Sequence, residues 1–191
     1  TFTLSFVIAG GKSTTLLLKA DTSGNDNQVD ASTGSHTITE AGNGTSTART
    51  PYHPGGYSGR FDGSNDMLEI ADATSLDLST GDFTIEGWVW VDTDITDNGG
   101  FVGKRNEAYD GLSWRISYRT GDNKMSLHHY SEGSDANQRT PALNEDAWNH
   151  VAFCRSGSSL YCLANGSLGD TDASHSHDYS NAHSLKIGEN G

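Results

Sequence analysis

Residues 82–90 read DFTIEGWVW, and with Val91 they decide the fold. Phe83, Ile85, Val89 and Val91 alternate with Thr84, Glu86, Trp88 and Trp90. Successive side chains of an extended strand point to opposite faces, so this period of two describes a strand with one apolar face and one bearing a carboxylate and two indoles. A sheet with one apolar face has to bury it against a second layer. The rest of the chain supplies material for one.

Extended runs recur throughout: TLSFVIA, TTLLLKA, SHTITEAG, GRFDG, DMLEIAD, FVGKR, LSWRISYRT, KMSLHHYS, WNHVAFCR, SLYCLANG and SLKIGE, parted by turn-rich linkers. WRISYR-TGDN-KMSLHHY and HVAFCR-SGSS-LYCLANG each join two such runs through a short Gly-containing loop, as hairpins do. No segment of a dozen residues keeps apolar positions at helical spacing without interruption by Gly, Pro or clustered Asn and Asp. The pattern predicts an all-β, antiparallel two-sheet sandwich. Residues 23–59 are long, polar and punctuated, which suits a wrap around a sheet edge rather than core strands. We read residues 15–191 as one β-sandwich domain and residues 1–14 as an upstream strand or linker. The lack of an initial methionine and the abrupt end at SLKIGENG suggest an excerpt of a longer polypeptide.

The 191 residues carry 12 Lys and Arg against 25 Asp and Glu, a formal charge of −13. That excess repels nucleic acid phosphates and anionic membrane surfaces, and suits neutral ligands, divalent cations or simple solubility. No window approaches the roughly 18 apolar residues of a membrane span. Cys154 and Cys162 flank the turn RSGSS, and whether they face each other depends on a bulge in that hairpin.

Taken in order, TTLLLKADTSGND, the step FDG-x-x-D at residues 61–66, GDFTIEGWVWVD, WNHVAFCRSGSSLYCLANG and SLKIGENG carry a resemblance. The chain resembles laminin-G-like domains of the concanavalin A-like lectin/glucanase superfamily, in a subfamily frequent in extracellular bacterial and phage structural proteins. The resemblance covers residue 16 onward and implies a jelly-roll sandwich, often with calcium at its rim. Family domains close with a strand of the type GYIDEVRI, which this sequence does not reach; either an upstream strand such as TLSFVIA fills the open edge or residues are missing. Where relatives read YVDG this chain has CLANG, with Asn165 in place of the aspartate.

Some glucanases of the superfamily alternate carboxylates on one strand face, since glycoside hydrolysis by retention needs a nucleophile and an acid/base about 5 Å apart. Here Trp88 and Trp90 occupy the positions where carboxylates would accompany Glu86. One carboxylate cannot fill both roles, so the expectation is a protein without enzymatic activity. No G-x-S-x-G elbow occurs, and neither cysteine stands near a histidine in a recognisable order.

The candidate ligand site is therefore a platform of Glu86, Trp88 and Trp90, joined by Arg115, Arg119, His128 and Tyr130 of the neighbouring hairpin: aromatic rings for the apolar faces of sugars, polar groups for their hydroxyls. Oxygen-rich loops are candidates for calcium, with Asp62 and Asp66 of the FDG-x-x-D step foremost, beside Asp21, Asp26, Asp30, Asp94, Asp97, Asp170 and Asp172. His175, His177 and His183 in DASHSHDYSNAH form a further possible metal set. Asn43 and Asn165 match glycosylation acceptors. The expected function is a carbohydrate-binding, adhesive module on an extracellular or virion protein that belongs to a larger oligomeric assembly. The alternative is a decoration or fibre domain that docks neighbouring structural chains.

Overall fold

The computed structural model describes residues 2–10, 13–20, 28–42, 44–48, 56–96, 98–106, 114–131 and 134–189, and for residues 2–10, 130, 131 and 134–136 it describes the backbone alone. In chain order the strands are β1 (Phe2–Gly10), β2 (Ser13–Ala20), β3 (Gln28–Asp30), β4 (Ile38–Ala41), β5 (Thr45–Thr47), β6 (Ser58–Phe61), β7 (Met67–Ile70) and β8 (Phe83–Val91). They continue as β9 (Gly100–Lys104), β10 (Trp114–Arg119), β11 (Lys124–Ser131), β12 (Ser134–Arg139), β13 (Trp148–Ser156), β14 (Ser159–Ala164), β15 (Ser167–Asp172) and β16 (Leu185–Ile187). One turn of 3-10 helix, Thr74–Leu76, interrupts them.

Sheet I runs β15-β14-β13-β8-β1-β2-β3, with β6 against β1 and β5 against β6; sheet II runs β12-β11-β10-β9-β16-β7-β4. Every pairing is antiparallel. The two-sheet architecture expected from the alternation is what forms. At its centre β8 pairs with β1 from Phe2↔Val91 to Gly10↔Phe83, and with β13 from Trp148↔Trp90 to Arg155↔Phe83. β1 thus lies between β8 and β2, supplying hydrogen-bonding partners to two strands that would otherwise present open edges.

The strands of β8 and β13 bury one face each. Phe83, Ile85, Val89 and Val91, with Val151 and Phe153, pack against Trp114, Ile116 and Leu127 of sheet II. Tyr179, fully buried, meets Phe83 edge-on at 5.4 Å and Trp114 at 6.2 Å between ring centroids. Within residues 23–59 the described stretches include strands at the sheet margins: β3 is the outermost strand of sheet I and β4 the outermost of sheet II.

Both hairpins read from the sequence form, with Arg119↔Lys124 and Ser156↔Ser159 at their closed ends. The next turn, Asn165-Gly166, has φ of +50° and +76°. Two successive positive φ values suit the right-handed twist of a two-residue hairpin, and Asn-Gly is the pair that reaches them most easily. Asn165 also accepts a bond from the His150 amide (2.9 Å) and donates one to Asn149 Oδ1 (2.9 Å), a dual role that an aspartate could not fill. The cysteines are free: Phe153↔Cys162 and Cys154↔Tyr161 are the register pairs, so the thiols point to opposite faces of the sheet. Burial raises the pKa of both.

Two buried cations tie loops to the sandwich. Arg155, 6% exposed, donates to the carbonyls of Gly157 (3.1 Å), His177 (2.7 Å) and His175 (3.2 Å). Lys104, wholly buried, reaches Asp72 Oδ1 at 2.9 Å and Asp77 Oδ1 at 2.6 Å. Charges removed from water persist only when so partnered.

The alternation in β8 makes a direct expectation. Ile85→Ala should lower unfolding free energy by about 2–5 kcal/mol through the cavity it leaves, whereas Thr84→Ala on the opposite face should lower it by under about 1 kcal/mol. Urea denaturation of the two variants checks the difference.

Candidate functional site

The outward face of sheet I is aromatic. Along β8, Thr84, Glu86, Trp88 and Trp90 are half-buried while their neighbours in the strand are buried. Along β13 the same alternation turns Trp148 and His150 outward, with Val151 and Phe153 inward. Register then sets Trp148 opposite Trp90 and His150 opposite Trp88. Side chains opposite each other in an antiparallel pair have Cβ atoms about 4.5–5.5 Å apart, and these rings meet edge-on, at 5.9 Å for the two tryptophans and 5.3 Å for Trp88 and His150. Trp90 Nε1 donates to Asp92 Oδ1 (2.9 Å), which fixes its indole.

Glu86 lies at the other end of the row. His150 Nε2 stands 3.4 Å from its Oε2, and both side chains keep substantial exposure, 34% for His150 and 42% for Glu86. The register partners of Glu86 are Ala152 and Val7. A surface ion pair of this kind contributes little to stability, and its groups are accessible to a ligand.

The structure separates the other residues expected on this platform. Arg115, Arg119 and His128 stand on β10 and β11 in sheet II, so they cannot share a face with Glu86, Trp88 and Trp90. That hairpin belongs to the opposite layer; the neighbours of β8 are β1 and β13, the latter more than fifty residues away in sequence. Arg115 instead borders a shallow depression with Gly100, Gly103, Arg105, Lys186 and Glu189. Tyr130 lies on β11, and its side chain falls outside the described residues, as do Asp21, Asp26, Asp97 and Asn43. Trp148 and His150 were missed, although the alternation in WNHVAFCR carries the same signal as that in β8.

Asp62 and Asp66 close their own turn. Asp66 Oδ2 accepts the Asp62 amide (2.8 Å) and Asp62 Oδ1 accepts the Ser64 amide (2.8 Å). Calcium takes six to eight oxygens, and among the described residues no three His, Cys, Asp or Glu side chains are grouped to share a metal.

The histidine-rich loop folds inward. His175 Nδ1 is 3.0 Å from Asp172 Oδ2 and its Nε2 is 2.8 Å from the Tyr179 hydroxyl. His129 of β11, not His183, completes the cluster, with its ring centroid 4.3 Å from that of His177 and 5.1 Å from that of His175. Burial first, and then the neighbouring histidines, lower the pKa of His129 to about 4, against a partial opposing effect of Asp172. His177 is likewise lowered to about 4, by burial and then by His175, with Asp178 opposing. Above the ordinary histidine value both are neutral in folded and unfolded chains alike. Between pH 6.5 and about 4 only the unfolded chain takes up these protons, so stability falls as pH falls through that window. The melting temperature should drop steeply from pH 7 to pH 4.5, and His129→Phe should flatten that drop.

Comparison places this geometry among known folds. A family model described as the concanavalin A-like lectin/glucanases superfamily matches residues 62–191. No curated protein matches the sequence. Among solved structures, one described as HCR/D-Sa-GBL1/C superposes with a TM-score of 0.61 at 13% identity, covering 91% of this chain. This chain spans 43% of the length of that one. Carbohydrate binding module CBM66 from Bacillus subtilis gives 0.45 at 14% identity, covering 79% of this chain and 87% of its own. A Bacillus licheniformis beta-glucanase gives 0.43 at 13% identity, covering 96% and 77%. At such identities the likeness is one of fold alone. With its antiparallel two-sheet sandwich and a family match over more than half its length, the chain belongs to the concanavalin A-like lectin/glucanases superfamily.

Proposed function

We propose that the chain is a carbohydrate-binding module of a larger extracellular or virion-borne protein, and that the outer face of sheet I holds the glycan without cleaving it. The observation that carries this reading is the row Glu86, Trp88, Trp90, Trp148 and His150, half-buried on adjacent strands. Flat rings stack on the apolar faces of sugars, and a carboxylate beside an imidazole can hydrogen-bond neighbouring hydroxyls. A neutral chain suits a protein of charge −13, because no polyanion has to be brought against its field. Affinity per module would be on the order of −4 to −8 kcal/mol, raised by repetition on one particle or surface.

Spacing along the strand supports binding without hydrolysis. The next carboxylate after Glu86 along this strand is Asp92, six residues on and so about 20 Å away, engaged with the Trp90 indole. Glycosidases of either stereochemistry use carboxyl pairs within about 10 Å. Calcium at Asp62 and Asp66 would share carboxylates that also close their own turn.

A second reading, assembly through protein contacts, has one observation in its favour. Val29 and Leu168, 43% and 56% exposed, lie on β3 and β15, the two outermost strands of sheet I. Exposed apolar edges are places where another chain can add.

On immobilised polysaccharides, Trp88→Ala and Trp148→Ala should each weaken retention by roughly 10- to 30-fold, as loss of a buried aromatic anchor does, with the melting temperature unchanged. A parallel fall in melting temperature would assign those rings to packing instead. A chain that retains no glycan, but forms oligomers broken by Leu168→Lys, would favour assembly.

A further inference from the structure

The turn between β3 and β4 folds back onto the 3-10 helix Thr74–Leu76, far from the aromatic platform in the strand order. Asp30 Oδ2 lies 2.7 Å from His36 Nδ1, and His36 Nε2 lies 2.8 Å from the Ser75 hydroxyl oxygen. We propose that Asp30, His36 and Ser75 form an acyl-transfer relay, with Ser75 the nucleophile toward short O-acyl esters presented at the protein surface.

Burial is graded along the line. The Asp30 side chain is fully buried and the His36 side chain 10% exposed, while Ser75 is exposed to solvent. Asp30 is held as a carboxylate: burial alone would raise its pKa, but hydrogen bonds from the backbone of His36, Leu17 and Ser32 and from the Ser32 hydroxyl bring it well below the usual range. The amides of His36, Leu17 and Ser32 donate to the Asp30 carboxylate at 2.8, 3.1 and 2.8 Å. An ionised carboxylate only accepts, so the proton between it and His36 sits on Nδ1, and in the neutral imidazole Nε2 then accepts the Ser75 O–H. That tautomer and order of contacts are those a hydroxyl nucleophile requires, and the arrangement is recognised by geometry whatever the fold.

The surroundings hold the line in place. Ser35, immediately before His36, takes φ of +46°, an unusual backbone for a residue with a side chain. A Cβ on Gly34 would run into the His36 imidazole and approach the Thr15 carbonyl to 2.9 Å, so a glycine is needed for the ring to lie there. Ser75 is fixed from beneath by the buried Leu76 and by the ion pair of Asp77 with Lys104.

The chemistry balances without a cofactor. Ser75 Oγ attacks the acyl carbon while its proton passes to His36 Nε2; the bond to the alcohol oxygen then breaks and His36 returns the proton to that oxygen. Water attacks the acyl-serine, giving its proton to His36 and then to Ser75 Oγ, so ester and water become acid and alcohol. Positioned base catalysis supplies on the order of 10²–10⁴ in rate. An exposed hydroxyl reaches acyl groups that protrude, such as acetyl, rather than long chains that need an enclosed channel.

The test is labelling of the intact chain with a fluorophosphonate, read by mass spectrometry, beside hydrolysis of p-nitrophenyl acetate. The expected result is an adduct on Ser75, formed at least about 100-fold more slowly in His36→Gln, and ester hydrolysis that falls to background in Ser75→Ala. Ser75 is exposed, so its alanine variant keeps the fold and remains decisive even where His36→Gln melts early. Asp30 is a positioning residue: Asp30→Asn should move the midpoint of the pH–rate profile downward, because the imidazolium loses its counter-charge. Absence of an adduct on Ser75, or equal ester hydrolysis by Ser75→Ala and the parent chain, overturns the proposal; an unmoved midpoint removes Asp30 from the relay.

Discussion

The strict alternation of β8 is the constraint on which the rest of this structure depends. Hydrogen-bonded on one side to β1 and on the other to β13, the strand cannot slide in either direction without exchanging its faces. A slip of one residue would drive Glu86, Trp88 and Trp90 into the core and turn Phe83, Ile85 and Val89 to water. The core and the aromatic platform are therefore two consequences of one register. Because β13 repeats the alternation, the outward tryptophans fall opposite each other and form a continuous surface.

Polar chemistry in the interior serves a different end. Arg155 binds three carbonyls of adjacent loops, Lys104 joins Asp72 and Asp77, and the His129, His175 and His177 cluster anchors the loop after β15 around Tyr179. Arg155, Lys104 and His175 convert polar loops into fixed supports for the sandwich by satisfying groups that would be penalised if buried alone, whereas His129 and His177 contribute through ring packing. Burial lowers the pKa of His129 and His177, which links the packing of that loop to pH.

The two surface sites differ in how they are made. The platform is built of neighbouring strands, so its geometry is as rigid as the sheet, and stacking tolerates small variations in a ligand. The Asp30–His36–Ser75 line is built of a turn and a short helix, held by the hydrogen bonds of one buried carboxylate and by a glycine without which the imidazole could not take its place. A binding face and a reactive group placed apart can act on the same polymer without competing for it.

What the sequence determined by itself is whatever depends on short-range pattern: the period of two that makes strands, the Gly and Asn turns that make hairpins, and which side of β8 faces water. These are properties of a few consecutive residues, so they are legible along the chain. Which strand lies beside β8 was settled only by the tertiary structure, since pairing across long sequence separations reflects the packing of whole layers rather than any local signal. That choice put Trp148 and His150 on the platform, sent Arg115, Arg119 and His128 to the other sheet, and brought His129 to the histidine loop. It also aligned Asp30 and His36 with Ser75, thirty-nine residues beyond His36, a meeting governed by how the wrap closes over the sandwich and so invisible in the order of residues.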